Sequence, residues 1–333
     1  MNARVEIDFV GQAFILPPRI NIMQAFTADE KQLDFVLPGL LSGTVGCLYS
    51  LGGTGKSMLS LELVLPIAAH MQRGADLLGI TPPAGGRVVV ISLEDPAEIT
   101  LSRLRNIGAL LPTQAREAAH ENLDILPLLG TGFNILCEDD FHAILNYCKG
   151  ARLIIFDTLS RICPADYNDP AQARLIMRRL EKLAKLTGAA IIFLHHVSKS
   201  AVRAGQGADQ TAAQGASALI DDARWAASLT VMSADEAKQF SLHDRTKSAI
   251  TENDRNRFVK LSFSKINYSM RPDDLWFERG YGGVLKPAIL FPLNNQNIKG
   301  VGANNTNRNS YLDAKNWVNT AAAATEGDDD DDY

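Results

Sequence analysis

The chain has 333 residues, 46% of them hydrophobic, and a formal net charge of −5. This length suffices for one large or two modest domains with a real core. No apolar run is long enough to predict a membrane span, and the four cysteines (Cys47, Cys137, Cys148, Cys163) lack the spacing of a metal site or a disulfide framework, so we expect buried thiols in a reducing cytoplasm.

The acidic charge is concentrated at one end of the sequence. Residues 326–333 read "EGDDDDDY" and hold six acids, and without them 32 acids face 33 bases. The rest of the chain is therefore nearly neutral. A neutral body still allows nucleic-acid binding, because a ring can collect a few basic residues from each subunit into one channel.

The first strong element is a predicted strand at 45–50, "VGCLYS", which leads through a glycine-rich loop into a predicted helix at 56–73. Glycines let the backbone curl so that successive N–H groups point inward, and the helix offers its positive end to the same spot. The loop thus predicts a Walker A cradle for ATP, with Ser50 where the pattern has glycine. Its binding residues are Gly52, Gly53, Thr54, Gly55, Lys56, Ser57 and Met58.

Within this loop Lys56 reaches the outer phosphates and the Ser57 hydroxyl holds Mg²⁺. The alternative is an ordinary glycine-rich turn between a strand and a helix. The next predicted strand, "RVVVISL" at 87–93, precedes Glu94, and a helix is predicted at 97–118. Hydrolysis needs a carboxylate to orient the attacking water, and we assign that role to Glu94. Two alternatives stay open: Glu94 caps the next helix, or Asp95 does the work.

Further strands are predicted at 123–126, 152–157 and 189–195, with helices at 138–149 and 170–187. "RLIIFD" ends in Asp157, which predicts a Walker B carboxylate that holds magnesium together with Ser57; helix capping is the alternative. "AAIIFLH" leads into His196, which we assign as the sensor of the γ-phosphate, as in RecA-like motors. His195 fits a buried core position better.

This alternation predicts an α/β fold: a RecA-like P-loop NTPase with a doubly wound, mainly parallel sheet. "ARWAASLTVM", "RFVKLSFSKINY" and "GGVLKPAIL" predict later, antiparallel strands. We divide the chain into an N-terminal arm (1–18), an ATPase core (19–292), a polar linker that could form one short helix (293–325) and the acidic tail (326–333).

Segments between residues 19 and 290 resemble the RepA family of hexameric replicative helicases carried by broad-host-range plasmids. They include "LPGLLSGTVGCLYSLGGTGKSML", "EDPAEITLSRLRNIGA", "FDTLSR", "FLHHVSK", "SALIDDARW" and "SKINY". The resemblance implies a RecA-like core, a hexameric ring, ATP hydrolysis at subunit interfaces and movement along single-stranded DNA. Ser50 also replaces the glycine in that family.

The same resemblance implies roles for three basic residues. Arg224 in "DDARW" matches an arginine finger for the neighbouring subunit's ATP, where a surface ion pair to Asp221 or Asp222 is the alternative. Lys265 in "SKINY" resembles a second cation acting in trans. Arg103 matches an arginine near the active site, and a solvated position on a helix face is equally consistent with the sequence.

The predicted function is therefore an Mg²⁺-dependent ATPase that forms a homo-oligomeric ring and moves on single-stranded DNA in plasmid or phage replication. We expect DNA contacts from the loops at 163–170 and 199–215, the second through Lys199 and Arg203. The acidic tail resembles those of single-stranded-DNA-binding proteins and predicts a replication partner; a solvated tail is the alternative. Two other functions stay open, a filament-forming recombinase or recombination mediator and a regulatory ATPase without motor activity.

Overall fold

The computed structural model describes residues 19–27, 29, 32–163, 169–197, 217–243 and 248–293. It divides the chain into two units, Met1–Leu33 and Asp34–Tyr333. In the first unit the described residues form helix α1 (Ile22–Thr27), whose side chains are exposed. We expected the core to begin at residue 19, whereas the division falls after Leu33.

Helices and strands alternate through most of the second unit. The helices are α2 (Lys56–Ala68), α3 (Ala97–Gly108), α4 (Thr113–Asn122), α5 (Glu138–Tyr147), α6 (Pro170–Thr187), α7 (Ser217–Asp222), α8 (Ala234–Ala237) and α9 (Glu252–Arg255). The strands are β1 (Phe35–Leu37), β2 (Leu40–Leu41), β3 (Val45–Ser50), β4 (Val88–Ser92), β5 (Leu123–Pro127), β6 (Leu153–Asp157), β7 (Ala190–His196), β8 (Trp225–Val231), β9 (Phe240–Ser241), β10 (Phe258–Ile266), β11 (Leu275–Arg279), β12 (Leu285–Pro287) and β13 (Phe291–Pro292).

The main sheet has nine strands among the described residues, in the order β12-β11-β10-β8-β3-β7-β6-β4-β5. The strands from β8 to β5 pair in parallel, and β10, β11 and β12 continue the sheet in antiparallel fashion. The predicted mainly parallel sheet with antiparallel C-terminal strands is confirmed. We had grouped β8 with the antiparallel strands, but it is the junction: it runs parallel to β3 and antiparallel to β10.

Both faces of the sheet are covered, which explains the nearly continuous apolar runs of its strands. Along β4, Val88 and Val90 join one core layer, and Val89 and Ile91 join the other. This is the period of two that alternating side chains require. Helices α2 and α4 cover the first face, and α5, α6 and α7 cover the second.

Two predicted helices are wrong in extent. The helix at 97–118 is two helices, because Pro112 is the N-cap residue of α4 and its ring disfavours helical backbone at the residue before it. The helix at 56–73 ends at Ala68, since His70 and Met71 adopt positive φ angles of 47° and 59°.

The prediction of four buried thiols is also wrong in one case. Cys47, Cys148 and Cys163 are buried, but Cys137 is exposed, because it is the N-cap residue of α5. No helix in the part of the chain that the structure describes is long and apolar enough to cross a lipid bilayer. The arm and the acidic tail lie outside the described residues, as does the linker beyond Leu293.

Candidate functional site

The carboxyl ends of neighbouring parallel strands meet at one edge of the sheet. Ser50 at the end of β3 pairs with His196 at the end of β7, and Ser92 at the end of β4 pairs with Asp157 at the end of β6. The phosphate loop follows β3, and Glu94 follows β4 by two residues. The fold therefore brings together the predicted residues of the phosphate loop, the Walker B position, the water-orienting position and the sensor position.

The phosphate loop depends on backbone conformations that favour glycine. Gly53 and Gly55 have φ angles of 74° and 107°. Gly55 is the N-cap residue of α2, and no described side chain caps that helix. The first N–H groups of α2 are consequently available to an anion, and the helix dipole adds to their attraction.

Lys56 is buried and surrounded by acceptors. Its Nζ lies 3.0 Å from Ser50 Oγ, 3.4 Å from Ser50 O and 3.1 Å from His196 Nδ1. Burial lowers the pKa of Lys56 to about 8, against the opposing charges of Asp157 and Glu94. The sequence analysis treated Ser50 only as a departure from the motif, whereas here its hydroxyl holds the catalytic lysine. No local pattern in the sequence signals that contact.

The Ser57 hydroxyl donates a hydrogen bond to the Asp157 carboxylate. Asp157 is only 8% exposed, and burial raises its pKa, while the Ser57 bond and Arg103 act in the opposite direction. A buried carboxylate beside a hydroxyl gives the hard oxygen ligands that Mg²⁺ prefers. The two residues fit the predicted metal site because a divalent cation would offset the charge that burial disfavours.

One imidazole ring connects Lys56 with Glu94. His196 Nε2 lies 3.1 Å from Glu94 Oε2, while Nδ1 faces Lys56. An ammonium group can only donate, so Nδ1 accepts and Nε2 carries the proton that it donates to Glu94. His195 is buried instead, and burial lowers its pKa to about 4.

The alternatives for Glu94 can be compared with the geometry. Helix α3 begins with Pro96 as its N-cap residue, and no described side chain caps it. Asp95 is engaged elsewhere, because its Oδ2 accepts a hydrogen bond from Arg103 Nη1 at 2.6 Å. Glu94 is thus the carboxylate that faces the sensor and the lysine.

Arg224 and Lys265 lie at the opposite edge of the sheet. The Arg224 N–H donates to Val45 O at the start of β3, 2.9 Å away, and its side chain is exposed. Lys265, near the end of β10, donates to the carbonyl of Asp221, and its pKa is lowered by burial and then by the charge of Arg224. The two predicted trans-acting cations are therefore neighbours, remote from the phosphate loop of their own chain.

Other predicted and unpredicted residues complete this description. Lys199 and Arg203, the predicted DNA contacts, lie outside the described residues. Arg279, at the end of β11, was not predicted, yet its Nη2 donates to Thr54 O in the phosphate loop at 2.7 Å. Only the tertiary arrangement reveals that contact, because 225 residues separate the two positions.

Solved structures with this architecture include two related to replication enzymes. A structure of a DnaB-like replicative helicase and its interactions with primase has a TM-score of 0.55 at 15% identity; the match covers 80% of this chain and 64% of that chain. An isolated ATPase domain has a TM-score of 0.53 at 16% identity, with 80% of this chain and 96% of that chain covered. The predicted RecA-like fold is confirmed by this likeness.

The sequence itself matches a family model over its phosphate loop and the first strands and helices of the sheet. The model is described as an AAA domain, and it matches residues 17–202, more than half of the chain. The match includes the phosphate loop, Glu94, Asp157 and His196. The chain belongs to the AAA domain family.

Proposed function

We propose that this protein is a ring-forming ATPase that moves along single-stranded DNA as a replicative helicase of the RepA type, in plasmid or phage replication. The observation that carries the proposal is the separation of Arg224 from the phosphate loop. They lie at opposite ends of β3, whose six residues span about 16 Å. An arginine side chain does not bridge that distance within one chain, which supports a role at the next subunit's ATP.

The proposed chemistry follows from the charges at the carboxyl edge of the sheet. Lys56 stabilises the charge that develops on the transferred phosphoryl group, and Glu94 orients the attacking water. A magnesium ion held by Ser57 and Asp157 would neutralise charge on the phosphates. His196, which contacts both Lys56 and Glu94, is placed to report the γ-phosphate to the water-orienting carboxylate.

Assembly completes the site. Arg224 supplies a planar guanidinium to the neighbour's transferred phosphoryl group, and Lys265 lies beside it as the second cation. Such head-to-tail contacts close into a ring when the rotation between subunits permits, and we propose six subunits. Single-stranded DNA would pass through the ring and be gripped by Lys199 and Arg203.

We also propose that the acidic tail at 326–333 recruits a replication partner and competes with DNA for the basic channel. Cells containing free thiols suit this protein, since its four cysteines form no disulfide; we place it in the cytoplasm. Truncation after Thr325 should tighten DNA binding at low salt, with a difference that shrinks as salt rises. Unchanged affinity at low salt would leave the tail with recruitment or solubility alone.

The proposal is tested by imaging and kinetics together. In negative stain with a non-hydrolysable ATP analogue and single-stranded DNA, we expect closed six-membered rings, and we expect DNA to stimulate ATP hydrolysis. Open filaments that pair strands would indicate a recombinase. Nucleotide binding without DNA-stimulated hydrolysis or unwinding would indicate a regulatory ATPase.

A further inference from the structure

The hairpin of β11 and β12 lies along one side of the helix that follows the phosphate loop. The backbone of Gly283 faces Met58, because a Cβ at that glycine would lie 3.6 Å from Met58 Cε. The Leu285 N–H donates to Glu62 Oε1 at 2.9 Å. Met58 and Glu62 are four residues apart and so share one face of α2. The hairpin therefore contacts the helix over more than one turn.

Arg279 extends this contact into the phosphate loop itself. Its Nη2 donates to Thr54 O and its Nη1 donates to Asn256 O, both at 2.7 Å. Thr54 precedes Met58 by four residues, in line with the face of α2 that the hairpin covers. The guanidinium is half-buried, and it has no acidic partner among the residues that the structure describes. Its two contacts are both backbone carbonyls.

The peptide that Arg279 contacts carries one of the donors of the phosphate loop. In a trans peptide the carbonyl of Thr54 and the N–H of Gly55 point in opposite directions. A hydrogen bond that fixes the carbonyl on the outside of the loop therefore fixes the N–H toward the inside. Gly55, with its φ of 107°, has no side chain to restrict this peptide, so an external restraint decides its orientation.

We propose that Arg279 is a positioning residue that pre-orients the Thr54–Gly55 peptide for phosphate binding. The inference rests on the proposed function, because it assigns a task within the same ATP site. A peptide already oriented before the ligand arrives spares the ordering that binding would otherwise require. Arginine suits this task better than lysine because its planar fork donates to Thr54 O and Asn256 O at once.

The experiment measures the Kd of ADP and of inorganic pyrophosphate in the full-length protein and in three variants. Arg279→Met keeps an unbranched apolar stem and removes the fork; Arg279→Lys keeps the charge. Lys286→Met is the matched control, since it removes one positive charge from the exposed part of the same hairpin. We expect Arg279→Met to weaken both ligands by about tenfold to a hundredfold. Arg279→Lys should lie between it and the wild type, and Lys286→Met should match the wild type.

A purely structural role gives a different pattern. If Arg279 only held the hairpin, folded variants would bind pyrophosphate as the wild type does, and that result would overturn the proposal. The proposed pre-orientation also predicts a KM for ATP that rises by the same factor as the Kd, with little change in kcat. If Arg279→Met does not fold, Arg279→Lys decides, and wild-type affinity in that variant overturns the proposal. A wild-type protein that binds neither ligand would overturn the proposed function as well.

Discussion

Glu94, His196 and Lys56 form a continuous chain of side-chain contacts before any nucleotide is bound. The imidazole accepts from the lysine and donates to the carboxylate, so a change at one end alters the hydrogen bond at the other. A triphosphate would compete with His196 for the Lys56 ammonium. We infer that the arrival of the γ-phosphate redirects Glu94 through this ring.

Glu94→Gln is the substitution that isolates the role of the carboxylate. Glutamine can still accept the His196 N–H, so the variant should bind ATP and assemble as the wild type does. It lacks the charge that orients water, and we expect kcat to fall by about 10²- to 10⁴-fold. Steady-state hydrolysis and nucleotide binding, measured side by side, test this. Asp95→Asn serves for comparison, and a Glu94→Gln variant with wild-type turnover would shift the role to Asp95.

At the residue scale the sequence predicted the groups with strong local patterns. Lys56, Ser57 and Asp157 follow from glycine spacing and from an apolar strand that ends in a carboxylate. Ser50 and Arg279 could not be predicted as site residues, because their roles consist of contacts with Lys56 and Thr54 that no local pattern encodes. Their function depends on tertiary distance alone.

At the scale of elements, α6 shows how a local signal fixes a boundary. The Asp169 carboxylate accepts the Ala171 N–H at 2.9 Å, and Pro170 occupies the first helical position. The predicted helix at 170–187 matches the structure for that reason. The predicted helix at 97–118 did not, because the break at Pro112 outweighed the apolar periodicity around it.

Asp169→Ala should lower the free energy of unfolding by about 1 kcal/mol, since it leaves helix N–H groups without their acceptor. Urea denaturation of the two proteins measures the difference. Asp169→Asn keeps an acceptor oxygen and should lose less. Equal stability of wild type and Asp169→Ala would mean that water replaces the cap at no cost.

Glu62 links two elements, α2 and β12, through a buried carboxyl. It is 1% exposed; burial raises its pKa to about 8 from the usual 4.5, although the Leu285 N–H acts in the opposite direction. An acid with a raised folded-state pKa is stabilising below pH 4.5, and that advantage is lost as pH rises toward 8. The folded protein should therefore become less stable across this interval.

Glu62→Gln keeps an acceptor for Leu285 and removes the titration. We expect the stability of the wild type relative to this variant to fall between pH 5 and pH 8, by up to about 1.4 kcal/mol per pH unit. Urea denaturation of both proteins at each pH gives the comparison. Parallel pH profiles would show that Glu62 does not titrate in this interval.

At the scale of the whole molecule, strand order decides which residues can cooperate. Apolar runs and terminal carboxylates predicted the parallel half of the sheet, because parallel strands present their carboxyl ends at one edge. They did not predict that β8 is the junction, or that the β11–β12 hairpin returns to the phosphate loop. Those placements depend on pairings between strands far apart in sequence.

The separation of Arg224 from its own phosphate loop leads to a prediction about mixtures of inactive subunits. Lys56→Ala lacks a working loop but keeps the finger, and Arg224→Ala has the converse defect. In a mixed ring, an Arg224→Ala subunit beside a Lys56→Ala subunit pairs an intact loop with an intact finger, if the finger acts in trans. At equal mixing about a quarter of the interfaces have that arrangement in a head-to-tail ring.

We therefore expect ATP hydrolysis to recover on mixing and to peak near equal proportions. The double variant, Lys56→Ala with Arg224→Ala, is the control, because mixing it with either single variant creates no complete interface. Subunit exchange is verified separately with fluorescently labelled chains. If mixed rings form and hydrolysis stays at the level of the separate variants at every ratio, Arg224 does not act on the neighbour's ATP, and the observation that carries the proposed ring loses its meaning.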